Sequence, residues 1–341
     1  MLSIIRFIVK KLMEDVIKEF DKRMETTFEQ QTNLKMNDEM LLKEQIELKN
    51  KINELSIKLN NMTDLCNNNL RQLYELEGKI QLETVSEYEN EDGGNYIAKY
   101  ISDIKNIFDI HCLEDKRYNL FRCGNELDGG YIMVDDLDNH NIAYSFGIND
   151  DVSWDKDISK FGINVFMYDH TIDNLPEENE FFHWKKVGVT GIYDSTVPEL
   201  KTLEMLLNEN GHMNEKNMIL KLDIEGDEWS VLKNTKESIL DKFDQIVIEF
   251  HDLINFENSK YKIEVLEKIM RTHLPVHIHA NNYRSYIMAK GKIIPDVLEC
   301  LFLNRSIYNL ERCRKFFPSI LDKPNCNIKP EIILGVWGKD E

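Results

Sequence analysis

Basic residues are scarce in this 341-residue chain: 42 Lys and Arg stand against 61 Asp and Glu, a formal net charge of −19. Phosphate recognition wants a basic surface, so nucleic acid is excluded as a main partner. The acidity is spread along the chain rather than gathered in a tail, which suits a well-solvated surface. Paired cysteines are also missing. Cys66, Cys112, Cys123, Cys300, Cys313 and Cys326 are scattered with no C-x-x-C spacing. That pattern argues against a zinc site or a disulfide framework and predicts reduced thiols in a cytoplasmic protein. No membrane-spanning run is present: Met1–Val9 is mostly apolar but too short to cross a bilayer, and no small-residue cleavage site follows it. With Arg6, Lys10 and Lys11 nearby, residues 1–12 either make weak contact with the inner face of a membrane or simply continue the following helix.

Proline is absent from residues 13–80, and no glycine interrupts that stretch before Gly78. What fills it is one unbroken heptad register. The d positions include Leu34, Leu41, Leu48 and Leu55, and the a positions include Ile17, Ile52, Leu59 and Leu73; fifteen of the twenty a and d slots are apolar. A sustained 3.5-residue repeat predicts a left-handed coiled coil over residues 1–90, and hence a homo-oligomer. The rod would be on the order of 100 Å long. The alternative is a single long helix folding back on the rest of the chain. The acidic, polar stretch Ser86–Asn95, followed by Tyr96, closes on Gly93-Gly94 and reads as a linker centred on residues 91–96.

From residue 97 to 341 the heptads give way to alternating strands and helices, which predicts a doubly wound α/β sheet with ligands at the carboxyl ends of its strands. A G-x-G-x-x-G fingerprint is lacking. In its place Ala143–Phe146 reads as a strand, Gly147 as a turn, and Asp150 to Ser153 as a helix start; the next strand ends at Asp169, twenty-two residues beyond Gly147. An acid at that distance suits a ribose diol. Asp150 and Asp151 at the turn would repel a pyrophosphate, which disfavours NAD. A cofactor with a ribose, an adenine and a positively charged amino-acid end fits better, as S-adenosylmethionine does. A plain loop with a surface Asp169 is the competing reading.

Three later strands end in polar pairs at i, i+2 spacing: Asp223 with Glu225, Glu249 with His251, and His277 with His279. If each pair shares a strand face, all three converge on one cleft. Two chemistries suit them. Glu249 or His251 accepts a proton from a substrate hydroxyl, or Asp223, Glu249 and a histidine hold a divalent cation that acidifies it. Helix caps and satisfied core histidines are the structural alternative for any single pair.

The stretch Lys221-Leu222-Asp223-Ile224-Glu225-Gly226-Asp227-Glu228-Trp229 resembles the K-x-D-x-E-G-x-E motif of FkbM-type S-adenosylmethionine-dependent methyltransferases. Asp128-Gly129-Gly130-Tyr131, Ser145-Phe146-Gly147-Ile148, Tyr168-Asp169-His170-Thr171 and His277–Tyr283 are also similar, so that the resemblance covers roughly residues 118–305. It implies a class I methyltransferase-like, doubly wound seven-stranded sheet behind the long N-terminal helix. It also implies cofactor binding around Gly147 and Asp169, which extends to Ser145, Phe146 and Asp150 as candidate cofactor residues, and chemistry near Asp223, Glu225 and Glu249, to which the strand-end pairing adds His251 as a catalytic candidate. The implied reaction is O-methylation of a sugar, polysaccharide or other small-molecule hydroxyl. The first glycine motif departs from the usual [ED]-x-G-x-G-x-G. Two other readings stay open: an inactive methyltransferase-like scaffold recruiting partners through its coiled coil, and a nucleotide-sugar-binding enzyme.

Overall fold

The computed structural model describes residues 49–51, 58 and 91–338. The chain divides into two units, 1–68 and 69–341. Residues 49–51 and 58 of the first unit are helical, while residues 1–12 and the rest of the heptad segment lie outside the described residues. Residues 91–338 fall in the second unit.

That region opens with helix α1, Glu91–Ile107. Residues 91–96, expected as a linker, are its first turns. The reason is tertiary: Ile97, Tyr100, Ile101 and Ile104 lie on one buried stripe, and burying that stripe outweighs the poor helix propensity of Gly93-Gly94. The Tyr100 hydroxyl donates to the Leu253 carbonyl at 3.1 Å, and its ring meets Phe256 edge-on.

Seven strands form the central sheet: β1 (Ile142–Phe146), β2 (Asn164–Tyr168), β3 (Phe182–Lys185), β4 (Met218–Leu222), β5 (Phe243–Phe250), β6 (His273–Ala280) and β7 (Leu298–Asn304). Their spatial order is β6-β7-β5-β4-β1-β2-β3. Neighbours from β5 to β3 run parallel, and β7 lies antiparallel between β5 and β6. The expected doubly wound seven-stranded sheet is therefore present, and its order reverses direction at the β1/β4 junction.

Alternation along the strands builds two cores. Tyr144, Phe146, Leu220, Leu222, Ile246 and Ile248 face one side, packed under α1, α3 (Leu203–Glu209), α4 (Glu228–Asn234), α5 (Glu237–Leu240) and α6 (Ser259–Ile269). Ala143, Val165, Ile219, Val247 and Leu301 face the other, under α2 (Ser153–Ser159) and the antiparallel strands Leu120–Cys123 and Tyr131–Val134. Ser145, Lys221, Glu249, Glu299 and His279 occupy the carboxyl-end rows of this second face, beyond the apolar positions.

The expectation of six reduced thiols is corrected. Short antiparallel strands at His111–Leu113 and Leu310–Arg312 bring Cys112 and Cys313 into a disulfide across 201 residues of sequence. No spacing rule reveals such a pair, because only the strand pairing makes the two neighbours. Cys123, Cys300 and Cys326 are free and buried, and Cys66 lies outside the described residues. Among the described residues no helix is long and apolar enough to cross a membrane.

Candidate active site

The β1/β4 junction opens into a cleft of about 960 Å³ at the carboxyl ends of the strands. Gly147 follows β1 and makes this geometry possible. Its φ is +79°, and a Cβ placed there would lie 1.5 Å from the Asp223 carbonyl oxygen. Only glycine permits that crossing. The loops are then stitched together: Asp223 N–H donates to the Phe146 carbonyl at 3.1 Å, Gly147 N–H to Tyr168 at 3.2 Å, and Lys221 Nζ to Gly147 at 2.8 Å.

Asp169 follows β2 and lines the cleft as expected, but the chain itself occupies its carboxylate. Oδ2 accepts the Ile148 and Asn149 N–H groups, both at 2.9 Å; Oδ1 accepts the Thr171 N–H at 2.8 Å and its hydroxyl at 2.6 Å. Burial opposes ionisation here, yet these hydrogen bonds prevail and hold the carboxyl below its usual range. A ribose at Asp169 would have to take the place of the Thr171 hydroxyl, the one donor free to rotate away. Asp150 is exposed at the cleft. Ser145 and Phe146 are not: both are fully buried within β1, with Phe146 stacked on Tyr168, so neither lines the cleft. Their strand runs on through Phe146, with paired neighbours on both sides, so both side chains stay in the core.

The Asp223/Glu225 expectation needs correction too. Strand β4 stops at Leu222, so the two acids share no strand face. Glu225 instead takes a left-handed conformation, φ +55°, and its side chain is 75% exposed at the rim. The tight turn is organised by Glu228, the first residue of α4, which is fully buried. Its Oε1 accepts the Ile224 N–H at 2.8 Å and its Oε2 the Gly226 N–H at 3.0 Å.

Glu228 Oε1 also receives His251 Nδ1 at 3.0 Å. Burial disfavours a charged ring, but the Glu228 hydrogen bond and the charges of Glu228, Asp223 and Glu225 outweigh it and lift the His251 pKa to about 9. His251 is thus a cation at neutral pH. In that form the ring steadies the acids around it.

Glu249 is buried, and its carboxyl is ringed by polar groups. Oε1 accepts Asn281 Nδ2 at 2.7 Å; the Tyr131 hydroxyl lies 3.1 Å from Oε2 and 2.7 Å from Asp223 Oδ2. One hydroxyl hydrogen cannot serve both carboxylates. Burial, with Asp223, Glu299 and Asp128 nearby, pushes the Glu249 pKa well above the usual range. The raised pKa favours a neutral Glu249 carboxyl, which relieves the crowding of acids around the Tyr131 hydroxyl. Asp223 is 24% exposed and faces the cleft, with Lys221 Nζ 3.8 Å away.

His277 and His279, expected at the same cleft, point elsewhere. His277 Nε2 meets Asp322 at 2.7 Å, while His279 bonds Glu299 through Nδ1 at 2.9 Å and Glu331 through Nε2 at 3.3 Å. Both are buried and pin the C-terminal segment to β6.

Of the three polar pairs, then, Asp223, Glu249 and His251 come together, Glu225 sits at the rim, and the β6 histidines stay outside. The first three also offer one ligand atom each within 4.8 Å of one another, close enough to share a cation. Four participants were not singled out from the sequence: Tyr131, Lys221, Glu228 and Asn281. All lie inside the quoted motifs D-G-G-Y, K-x-D-x-E-G-x-E and H-I-H-A-N-N, which was the available signal.

No curated protein matches this chain. Residues 130–285 match the family model described as the methyltransferase FkbM domain. The match spans β1 to β6 and takes in the Gly147–Asp169 and Asp223–His251 halves of the cleft, so the chain carries an FkbM methyltransferase domain over residues 130–285.

Proposed function

We propose that this domain is an S-adenosylmethionine-dependent O-methyltransferase acting on a sugar or polysaccharide hydroxyl. The observation that carries this reading is the composition of the cleft at the β1/β4 junction. Seven carboxylates (Asp128, Asp150, Asp151, Asp169, Asp223, Glu225 and Asp227) line it, with the Glu249 carboxyl behind, against the cations of Lys221, Arg284 and His251. Such a lining favours a cationic ligand and repels a pyrophosphate. The volume also suits one cofactor with part of an acceptor.

The residues present fit the sulfonium cofactor. Gly147, Ile148, Asn149, Asp169 and Thr171 would hold its adenosine portion, and the acids of the turn suit its positively charged end. When bound, S-adenosylmethionine supplies a methyl group activated for attack by an oxygen nucleophile. The chain's own contribution is to align the acceptor and to take its proton. Asp223 is the cleft-facing acid placed to receive that proton, with the Tyr131 hydroxyl donating to its Oδ2 and Glu249 behind. His251 and Lys221 balance the negative charge. Calorimetric titration of the full chain with S-adenosylmethionine tests the reading: folded protein that shows no binding sinks it and favours a methyltransferase-like scaffold, while affinity for a sugar nucleotide alone favours a nucleotide-sugar enzyme.

A divalent cation at Asp223, Glu249 and His251 is the second chemistry the geometry supports. Binding would require His251 Nε2 to give up its proton. Full activity after chelation, with no response to added magnesium or manganese, eliminates it.

The heptads support a homo-oligomer, and residues 1–12 support weak contact of a cytoplasmic protein with a membrane surface. Sedimentation of the full chain as a monomer contradicts the first; failure to co-sediment with anionic vesicles contradicts the second.

A further inference from the structure

The family match ends at residue 285, but the hydrogen-bond network behind the cleft does not: it runs on to Glu299 and Asn325. Between the short antiparallel strands Lys315–Phe317 and Gly335–Trp337, residues 318–334 contain neither helix nor strand. Connections beyond roughly 12–15 residues without secondary structure are uncommon and usually functional. This one is held firmly. Asn282 Nδ2 donates to the carbonyls of Cys326 (2.9 Å), Lys329 (3.1 Å) and Pro330 (3.2 Å), while Asn282 Oδ1 accepts the Cys326 N–H at 2.7 Å. Asp322 takes His277 and Glu331 takes His279.

These ties present Asn325, 1% exposed, to the cleft network. Its Nδ2 donates to Asp128 Oδ1 at 2.9 Å and to Glu299 Oε1 at 2.5 Å. Carboxylate oxygens on both sides fix the amide orientation, because its own oxygen there would face two acceptors. From the opposite side Asn281 Nδ2 reaches the same Asp128 Oδ1 at 3.3 Å and Glu249 Oε1 at 2.7 Å. Asp128 is therefore stapled between two asparagines, one just past the end of β6 and one from the C-terminal segment. Arg122 holds the other part of this loop, donating to the Asn125 and Leu127 carbonyls, and Lys323 lies 3.3 Å from Glu126.

We propose that Asn325 is a positioning residue: the C-terminal segment acts through it to fix the Asp128 loop and, by way of Asn281, the Glu249 carboxyl, and so completes the acceptor side of the cleft. The catalytic part of this inference rests on the methyltransferase reading, whereas the loop-fixing part does not. Asn325 neither touches the cofactor side nor lines the cleft, so it shapes the acceptor half indirectly.

The test uses Asn325→Ala in the full chain, compared with the parent by hydrogen exchange, cofactor calorimetry and acceptor kinetics. Amide exchange in the peptide spanning 126–131 is expected to rise by about tenfold, as a local opening that has lost a buried tie. Acceptor kcat/KM is expected to fall about tenfold, a loss of one charge-assisted hydrogen bond, with cofactor Kd changed less than about twofold. Unchanged exchange at 126–131 in a folded variant overturns the proposal. If Asn325→Ala does not fold, Asp128→Ala removes the other end of the staple from an exposed loop, and exchange at 126–131 that stays at the parent level overturns it equally. A parent protein that binds no S-adenosylmethionine overturns the methyltransferase reading and leaves the exchange result to decide the loop.

Discussion

Glu228 Oε1 stands 3.0 Å from His251 Nδ1, and both side chains are buried. The same carboxylate caps two backbone N–H groups of the turn that carries Asp223. Removing it as Glu228→Ala leaves a buried cation and two donors without partners, a loss of about 3–5 kcal/mol for a broken buried pair. The measurement is chemical denaturation. The milder Glu228→Gln is expected to bring the His251 pKa, followed by NMR, down from about 9 towards or below the ordinary histidine value, because burial is then less opposed.

The same pair gives a pH dependence in metal-free protein. The folded pKa of His251 is raised, so its contribution is complete below its ordinary pKa of 6.5 and is lost as pH climbs through about 9. The loss amounts to about 3 kcal/mol for a shift of this size. Thermal melts between pH 6 and pH 10 are expected to fall over that window, and the fall should be absent in Glu228→Gln. A parent melting temperature that is flat from pH 6.5 to 9 contradicts the assignment.

Gly147→Ala tests the crossing of the β1 and β4 loops. Added carbon meets backbone rather than a movable side chain, and the residue is held at positive φ. Destabilisation of about 3 kcal/mol or more, or failure to fold, is expected. A variant that melts within a degree of the parent would show that the loops are not so closely crossed.

Tyr131→Phe removes the hydroxyl shared by Asp223 and Glu249. Loss of one hydrogen bond to a charged group predicts a fall in kcat of roughly 10- to 100-fold, with cofactor affinity nearly unchanged. Steady-state kinetics and calorimetry separate the two. Equal losses in both would instead mean that Tyr131 supports the whole cleft.

The Cys112–Cys313 link closes a 201-residue separation. Cross-links over loops of this size stabilise by about 2–5 kcal/mol, largely by restricting the unfolded chain. Reducing agent should therefore lower the melting temperature of the parent and leave that of Cys112→Ser unmoved. Mass spectrometry of unreduced peptides reads the link directly.

Local pattern was enough to read the strands of the sheet, since buried apolar runs such as Met218–Leu222 and Ile246–Ile248 differ in period from their surroundings. It also located Gly147, Asp169, Asp223, Glu249 and His251, because acids and histidines at strand ends are costly unless they are used. It failed where orientation depends on partners far away. Whether Glu225 faces the cleft is decided by the end of β4 at Leu222 and by the turn that Glu228 caps. Whether Ser145 and Phe146 meet a ligand depends on neighbours at full packing density on both faces of β1.

By itself, then, the sequence determined the alternation of strands and helices, the heptad segment before them, and the kind of chemistry gathered at the strand ends, because these follow from periodicity and residue type. Tertiary structure alone decided which histidine joins the acids, that residues 91–96 are helical, and that Cys112 meets Cys313. Each of those outcomes turns on contacts between residues tens to hundreds of positions apart, whose energies no local window contains.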